Sequence, residues 1–206
     1  VVLILLIDQA VKVWVKTNMA LGDEIKIFGL DWALIHFVEN PGMAFGYRLS
    51  HDDMGKLALS LFRILAVSFL IYYIRFLMRT KAGWGILASF ALILAGALGN
   101  IIDSAFYGMI FSASTPHSVA MVFPPGGGYE RFLHGNVVDM FYFPIWSGYL
   151  PHWLPIWGGK YYMFFKPVFN VADMSITIGV LNILTFQRRF FLQHHSADEK
   201  KSDEEE

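Results

Sequence analysis

The chain has 206 residues, of which 55% are hydrophobic, 17% aromatic and only 16% charged, and its formal net charge is −1. A soluble domain carries about 25% charged residues, so this deficit excludes an ordinary soluble protein and points to a membrane. Without cysteine there is no disulfide, no thiolate nucleophile and no Cys-ligated metal.

Four apolar runs read as spans. The first, Val1 to about Thr17, is short for a hydrocarbon core of roughly 30 Å, so a few more residues are expected upstream. A cleaved signal peptide is the rival reading, but Asp8 interrupts the run and no basic region precedes it. Asp8 and Lys12 stand at i, i+4, where an intrahelical ion pair would ease insertion. Residues 24–39 then alternate, with Gly29 where a turn belongs, and predict a small antiparallel sheet. Asn40-Pro-Gly-Met-Ala-Phe-Gly46 follows as a tight, shaped loop.

The second span runs from about Leu57 to Met78 and the third from Gly83 to about Tyr107, joined by a short loop with Arg75, Arg79 and Lys81 near it. In the third span Gly96, Gly99, Asn100 and Asp103 fall at i, i+3, i+4 and i+7 on one stripe. Glycines there allow close approach of another helix, and an acid inside a span marks a functional site by default. Residues 108–167 return outside the membrane. They include Phe-Pro-Pro-Gly-Gly-Gly (123–128) and Trp146, Trp153, Trp157, Tyr161 and Tyr162, aromatic residues suited to the headgroup level. Within them Asp139 sits among apolar neighbours in Val137-Val-Asp-Met140, which suggests partial burial.

The fourth span, Val168 to about Phe186, opens with Asn170 and Asp173 at i, i+3, and exits into Arg188 and Arg189. Basic residues at both exits make that side cytoplasmic by the positive-inside rule, with both termini there and the acids near the outer face. Residues 198–206 hold six acids against Lys200 and Lys201, a net −4 that leaves +3 for the rest. The tail, 191–206, is expected to be disordered. Residues 1–190 form a single domain in this reading.

Two carboxylates sharing a site cannot both ionise readily, so one can accept a proton from water while the other donates to a carbonyl oxygen. From the spans alone, that pair would be Asp103 and Asp173. The motifs Asp8-Gln-Ala-Val-Lys12, Asn40 to Gly46, Gly96 to Asp103, Val137-Val-Asp-Met140 and Phe169-Asn-Val-Ala-Asp173 together closely resemble the lipoprotein signal peptidases (signal peptidase II). These are aspartyl proteases of the bacterial inner membrane. Five motifs occur in the family's order over nearly the whole chain.

The resemblance implies cleavage of diacylglyceryl-modified prolipoproteins just before the lipidated cysteine. It moves the dyad to Asp139 and Asp173. It makes Asn100 and Asn170 the amides that order the dyad and substrate, and Asp103 an essential acid outside the dyad. Asn40, Gly42 and Ala44 fall in the loop that closes over the substrate, Gly99 and Ala172 in supporting motifs, and Asp8 and Lys12 in a structural pair. The fold expected is a four-helix membrane protein with a small extracytoplasmic sheet and a long interfacial loop. It would be monomeric and in contact with membrane lipid, without cofactor, metal or nucleic-acid partner.

Two departures stand out. The family commonly has Arg after the Asp of its Gly-Asn-x-x-Asp motif, but here that position is Ser104; Arg131 and Arg63 are the candidates to substitute. The stretches 105–136 and 140–168 are also long. The alternative use of membrane carboxylates, a proton-coupled transporter, fits less well because the polar groups gather at one end of the spans and no inverted repeat is visible. The histidines show no His-Glu-x-x-His spacing.

Overall fold

In the computed structural model, residues 1–41, 53–164 and 167–186 are described. Gly42, Ala44, the Arg188–Arg189 pair and the tail 191–206 lie outside them. The elements run α1 (Val2–Asn18), β1 (Glu24–Lys26), β2 (Leu34–Asn40), α2 (Asp53–Arg79), α3 (Trp84–Ile102), α4 (Gly108–Ile110), β3 (Val137–Tyr142), β4 (Trp146–Tyr149), β5 (Tyr161–Phe164), β6 (Val168–Phe169) and α5 (Val171–Phe186). A π-helical turn, Asp103–Tyr107, joins α3 to α4.

Two helical stretches, Gly55–Arg79 and Trp84–Ile110, are long and apolar enough to cross a membrane. Their outward faces are apolar, with Phe62, Leu65, Phe69 and Tyr72 of α2 all more than 60% exposed. The helices α1 and α5, at 17 and 16 residues, are shorter.

The hairpin expected over residues 24–39 forms as β1 and β2, with Gly29 at φ +76° in the connection. What alternation within that segment cannot show is its continuation. β3 pairs antiparallel with β2, and β6 with β3, giving the order β1-β2-β3-β6. The last helix therefore starts later than expected: Val168 and Phe169 are drawn into the sheet against Tyr142 and Phe141, and helix begins only at Val171.

A core of Val15, Met19, Phe37, Tyr107, Phe111, Ala120, Val138 and Met140 joins the end of α1 to the sheet and to the segment after the π turn. The first long stretch is thus partly core. The second, 140–168, contains the two-stranded β4–β5 hairpin, which leaves Trp146, Tyr149, Trp153, Trp157, Tyr161 and Tyr162 exposed.

Candidate active site

The end of α5 is built by its own sequence. Asn170 is the N-cap: its Oδ1 accepts from the Asp173 backbone N–H at 2.9 Å, and Asp173 Oδ2 accepts from the Asn170 N–H at 3.3 Å. This reciprocal pair is a capping box made with Asn and Asp. Within the span expected from Val168, Asn170 thus precedes the helix and Asp173 occupies its first turn. The cap leaves the Asn170 amide nitrogen free to reach outward.

That nitrogen binds Asp139. The β3–β6 register sets Phe141 opposite Phe169, which carries Asn170, one residue on, to the level of Met140 and within reach of the neighbouring Asp139. Asn170 Nδ2 donates to Asp139 Oδ1 at 2.7 Å and to Asn100 Oδ1 at 3.1 Å. Asn100 Nδ2 in turn donates to Asp173 Oδ1 at 2.9 Å. Two amides thus link Asp139 on a strand to Asp173 on a helix. Burial pushes the Asp139 carboxyl up to about 7, with the neighbouring Asp173 charge adding to it, while bonds from Asn170 and Asn40 and the Lys12 charge oppose the rise. Of the loop residues expected here, Asn40 is described and bonds Asp139; Gly42 and Ala44 are outside the described residues.

Asp103 is occupied elsewhere. Its Oδ2 accepts from Lys12 Nζ at 2.8 Å and from the Val138 N–H at 3.2 Å, and its Oδ1 from Gln9 Nε2 at 2.9 Å. The pairing with Asp173 that the spans suggest is therefore not made: Asp103 is turned toward α1 and β3. Lys12, fully buried, also donates to Asp8 Oδ2 at 2.9 Å and to Asn100 Oδ1 at 3.0 Å, which uses all three ammonium protons. Asp8 completes the node by accepting from the Ala172 N–H at 2.9 Å, at the start of α5. Asp8 and Lys12 are an intrahelical pair, but one that also ties α1 to α3 and α5.

The glycine stripe lets these helices close on the node. A Cβ at Gly96 would strike the Ala172 carbonyl oxygen, and one at Gly99 would stand 2.6 Å from Asp8 Oδ2. Gln9, held by the Tyr107 hydroxyl at 3.1 Å, was not singled out in the sequence, although it lies inside a quoted motif. Of the two arginines considered near Ser104, Arg131 bonds His134 Nε2 at 3.4 Å, whereas Arg63 Nη1 donates to Ser104 Oγ at 2.8 Å.

A second buried polar cluster had no sequence signal. Lys16 Nζ pairs with Glu39 Oε1 and donates to Ser114 Oγ at 3.0 Å, Ser114 donates to Glu39 Oε1 at 2.7 Å, and Asn136 Nδ2 donates to Glu39 Oε2 at 3.0 Å. Burial opposes ionisation of Glu39, but Lys16 and these bonds hold its carboxyl below the usual range. The Ser114 proton points at Glu39 and Lys16 acts only as donor, so this is an ion-pair clamp between α1, β2 and the 111–136 segment, not a Ser–Lys nucleophile.

Comparison with known proteins agrees with this architecture. A family model described as signal peptidase (SPase) II matches residues 1–188. A lipoprotein signal peptidase of Porphyromonas gingivalis is 52% identical over 185 residues, covering 89% of this chain and 79% of the relative. One from Amoebophilus asiaticus is 40% identical over 189 residues, covering 90% and 75%. A solved structure described as a bacterial membrane enzyme, determined in meso, superposes with a TM-score of 0.56 at 28% identity, over 89% of this chain and 86% of that one.

Proposed function

The chain belongs to the signal peptidase II family, and from that membership we propose that it removes the signal peptide from diacylglyceryl-modified prolipoproteins, with Asp139 and Asp173 as the catalytic dyad. It is a protease of bacterial membrane origin. The observation that carries the dyad is the Asn170 side chain and backbone, which hold one carboxylate each.

In the proposed mechanism Asp173, whose two oxygens both accept hydrogen bonds, is the ionised partner. It takes a proton from water as the water oxygen attacks the scissile carbonyl carbon. Asp139 carries the shared proton and donates it toward the carbonyl oxygen, stabilising the developing oxyanion. Collapse breaks the C–N bond, and a proton passes to the leaving amine. Asp103, Asp8, Lys12 and Gln9 hold the frame; Asn100 and Asn170 orient the dyad. Asn40, with Gly42 and Ala44 in the following loop, would close over the peptide.

Four membrane spans, α1, α2, α3 and α5, with the site near the outer face and both termini cytoplasmic, complete the reading. The domain spans 1–190 and acts as a monomer. The diacylglyceryl group lies in the bilayer between helices, where burial of each CH₂ contributes about 0.8 kcal/mol. Exposed aromatics of the β4–β5 hairpin rest at the lipid interface. No observation favours the transporter alternative.

A gel-shift cleavage assay with purified diacylglyceryl prolipoprotein tests this. Asp139→Asn and Asp173→Asn should each be folded, substrate-binding and inactive. If Asp139→Asn cleaves normally while Asp103→Asn is folded and dead, the dyad is wrong. Equal turnover of an unlipidated precursor would contradict the lipid's role.

A further inference from the structure

We propose that Arg63 is a positioning residue for this reaction: tethered by Ser104, its guanidinium stands beside the acid cluster and sets the pH window in which the dyad holds one proton. The inference rests on the Asp139–Asp173 reading above.

Arg63 is the sole charged residue of α2 between Lys56 and Arg75. It is half-buried, although Phe62 and Leu65 beside it are 67% and 70% exposed on an apolar face. An arginine within such a helix is costly and is kept where a partner inside the protein needs it. Its Nη1 reaches Ser104 Oγ at 2.8 Å, and Ser104 is itself anchored, donating to the Asn100 carbonyl at 3.1 Å. A guanidinium has five N–H donors in a rigid fork. Among the described residues one is used, on a neutral hydroxyl, and Arg63 forms no ion pair.

Ser104 follows Asp103 directly and bonds the backbone of Asn100, whose side chain holds Asp173, so the tether brings the guanidinium into the neighbourhood of Asp173 of α5, Asp103 of the π turn and Asp139 of β3. Among the described residues, the other basic side chains near these acids are already engaged. Lys12 of α1 is saturated by Asp8, Asp103 and Asn100. Lys56, on the same helix as Arg63, bonds Glu130 and the His134 carbonyl, and Arg131 bonds His134. Lys12 alone cannot balance Asp8, Asp103 and an ionised Asp173. Among the described residues Arg63 is a further cation beside these acids, tethered next to Asp103 through Ser104 and with donors still unused.

The test is the pH profile of kcat/KM for the full chain in lipid, with diacylglyceryl prolipoprotein, for wild type, Arg63→Met, Arg63→Lys and Ser104→Ala. Removing the charge should let both dyad carboxylates hold protons to higher pH, so Arg63→Met should move the whole bell upward by on the order of one pH unit. Arg63→Lys keeps the charge and should move it by less than half as much. Ser104→Ala keeps the charge but loosens its tether and should fall between. A profile of unchanged position in Arg63→Met, whatever its height, overturns the proposal, as does an equal shift in Arg63→Lys. If Arg63→Met does not fold, the Lys and Ala variants still decide by their displacement from wild type. Asp139→Asn and Asp173→Asn, run alongside, separate the failures: activity in either sinks the dyad itself, whereas inactive Asn variants with an unmoved Arg63→Met profile sink only the role of Arg63.

Discussion

Asp139 and Asp103 differ little as residues, yet the fold gives them different partners. Asp103 accepts three hydrogen bonds, one from a buried ammonium, and in the proposed mechanism it holds the frame. Asp139 is buried beside Asp173 and, among the described residues, has no cation bonded to it, so its carboxyl rises to about 7 against the opposing amide bonds. The proposed mechanism needs Asp139 protonated, so kcat/KM should fall as pH rises through about 7, read from the alkaline limb of the profile. Stability has the same sign. The folded state keeps this proton to about pH 7, while an unfolded Asp releases it near 3.8, so the contribution is full below about pH 4 and is lost as pH rises to 7. Asp139→Asn removes the buried charge at a conserved size. Its melting temperature should exceed that of wild type at pH 8, and the difference should shrink to nothing near pH 4; a deficit at pH 8 would contradict the assignment.

At the scale of elements, the packing of α3 on α5 is what allows one node to serve four segments. Gly96 has no room for a side chain against the Ala172 carbonyl, so Gly96→Leu should cost on the order of 1–3 kcal/mol or more through overpacking, measured as loss of folded protein in detergent. Gly99→Ala should be milder: it presses on Asp8, and it should lower turnover by disturbing the Asp8 bond to Ala172 while the protein remains folded. The Lys16–Glu39 clamp makes a separate prediction. Lys16→Met strands a buried carboxylate, which typically costs about 3–5 kcal/mol, and pairing it with Glu39→Gln should recover much of that in thermal unfolding. The hairpin and the glycine stripe were legible in the sequence, because each rests on periodicity or turn chemistry within one segment. The start of α5 was misread by three residues because β6 belongs to a sheet whose other strands lie far away in sequence.

Across the whole molecule, the exposed apolar faces of α2 and α3 and the aromatic β4–β5 hairpin make the proposed bilayer placement testable. Single-tryptophan variants retaining Trp153 or Trp157 should be quenched by lipids brominated near the headgroup more than by those brominated at the chain end. Trp84, 88% exposed at the start of α3, should behave likewise, but from the opposite leaflet, accessible to a quencher trapped on the cytoplasmic side. Quenching of Trp153 and Trp157 by aqueous iodide alone would make the hairpin a solvated loop.

Composition by itself determined the membrane setting, and five ordered motifs determined the family. The partnerships of the acids and amides were decided only by the tertiary structure. Helical and strand periods report which side chains share a face of one element, but not which faces meet. The register of β3 on β6 brings Asn170 to Asp139, and the turn after α3 hands Asp103 to Lys12. An arginine from α2 arrives at Ser104 across 41 residues of sequence. No local rule links those positions, because each pairing depends on where separate helices and strands come to rest.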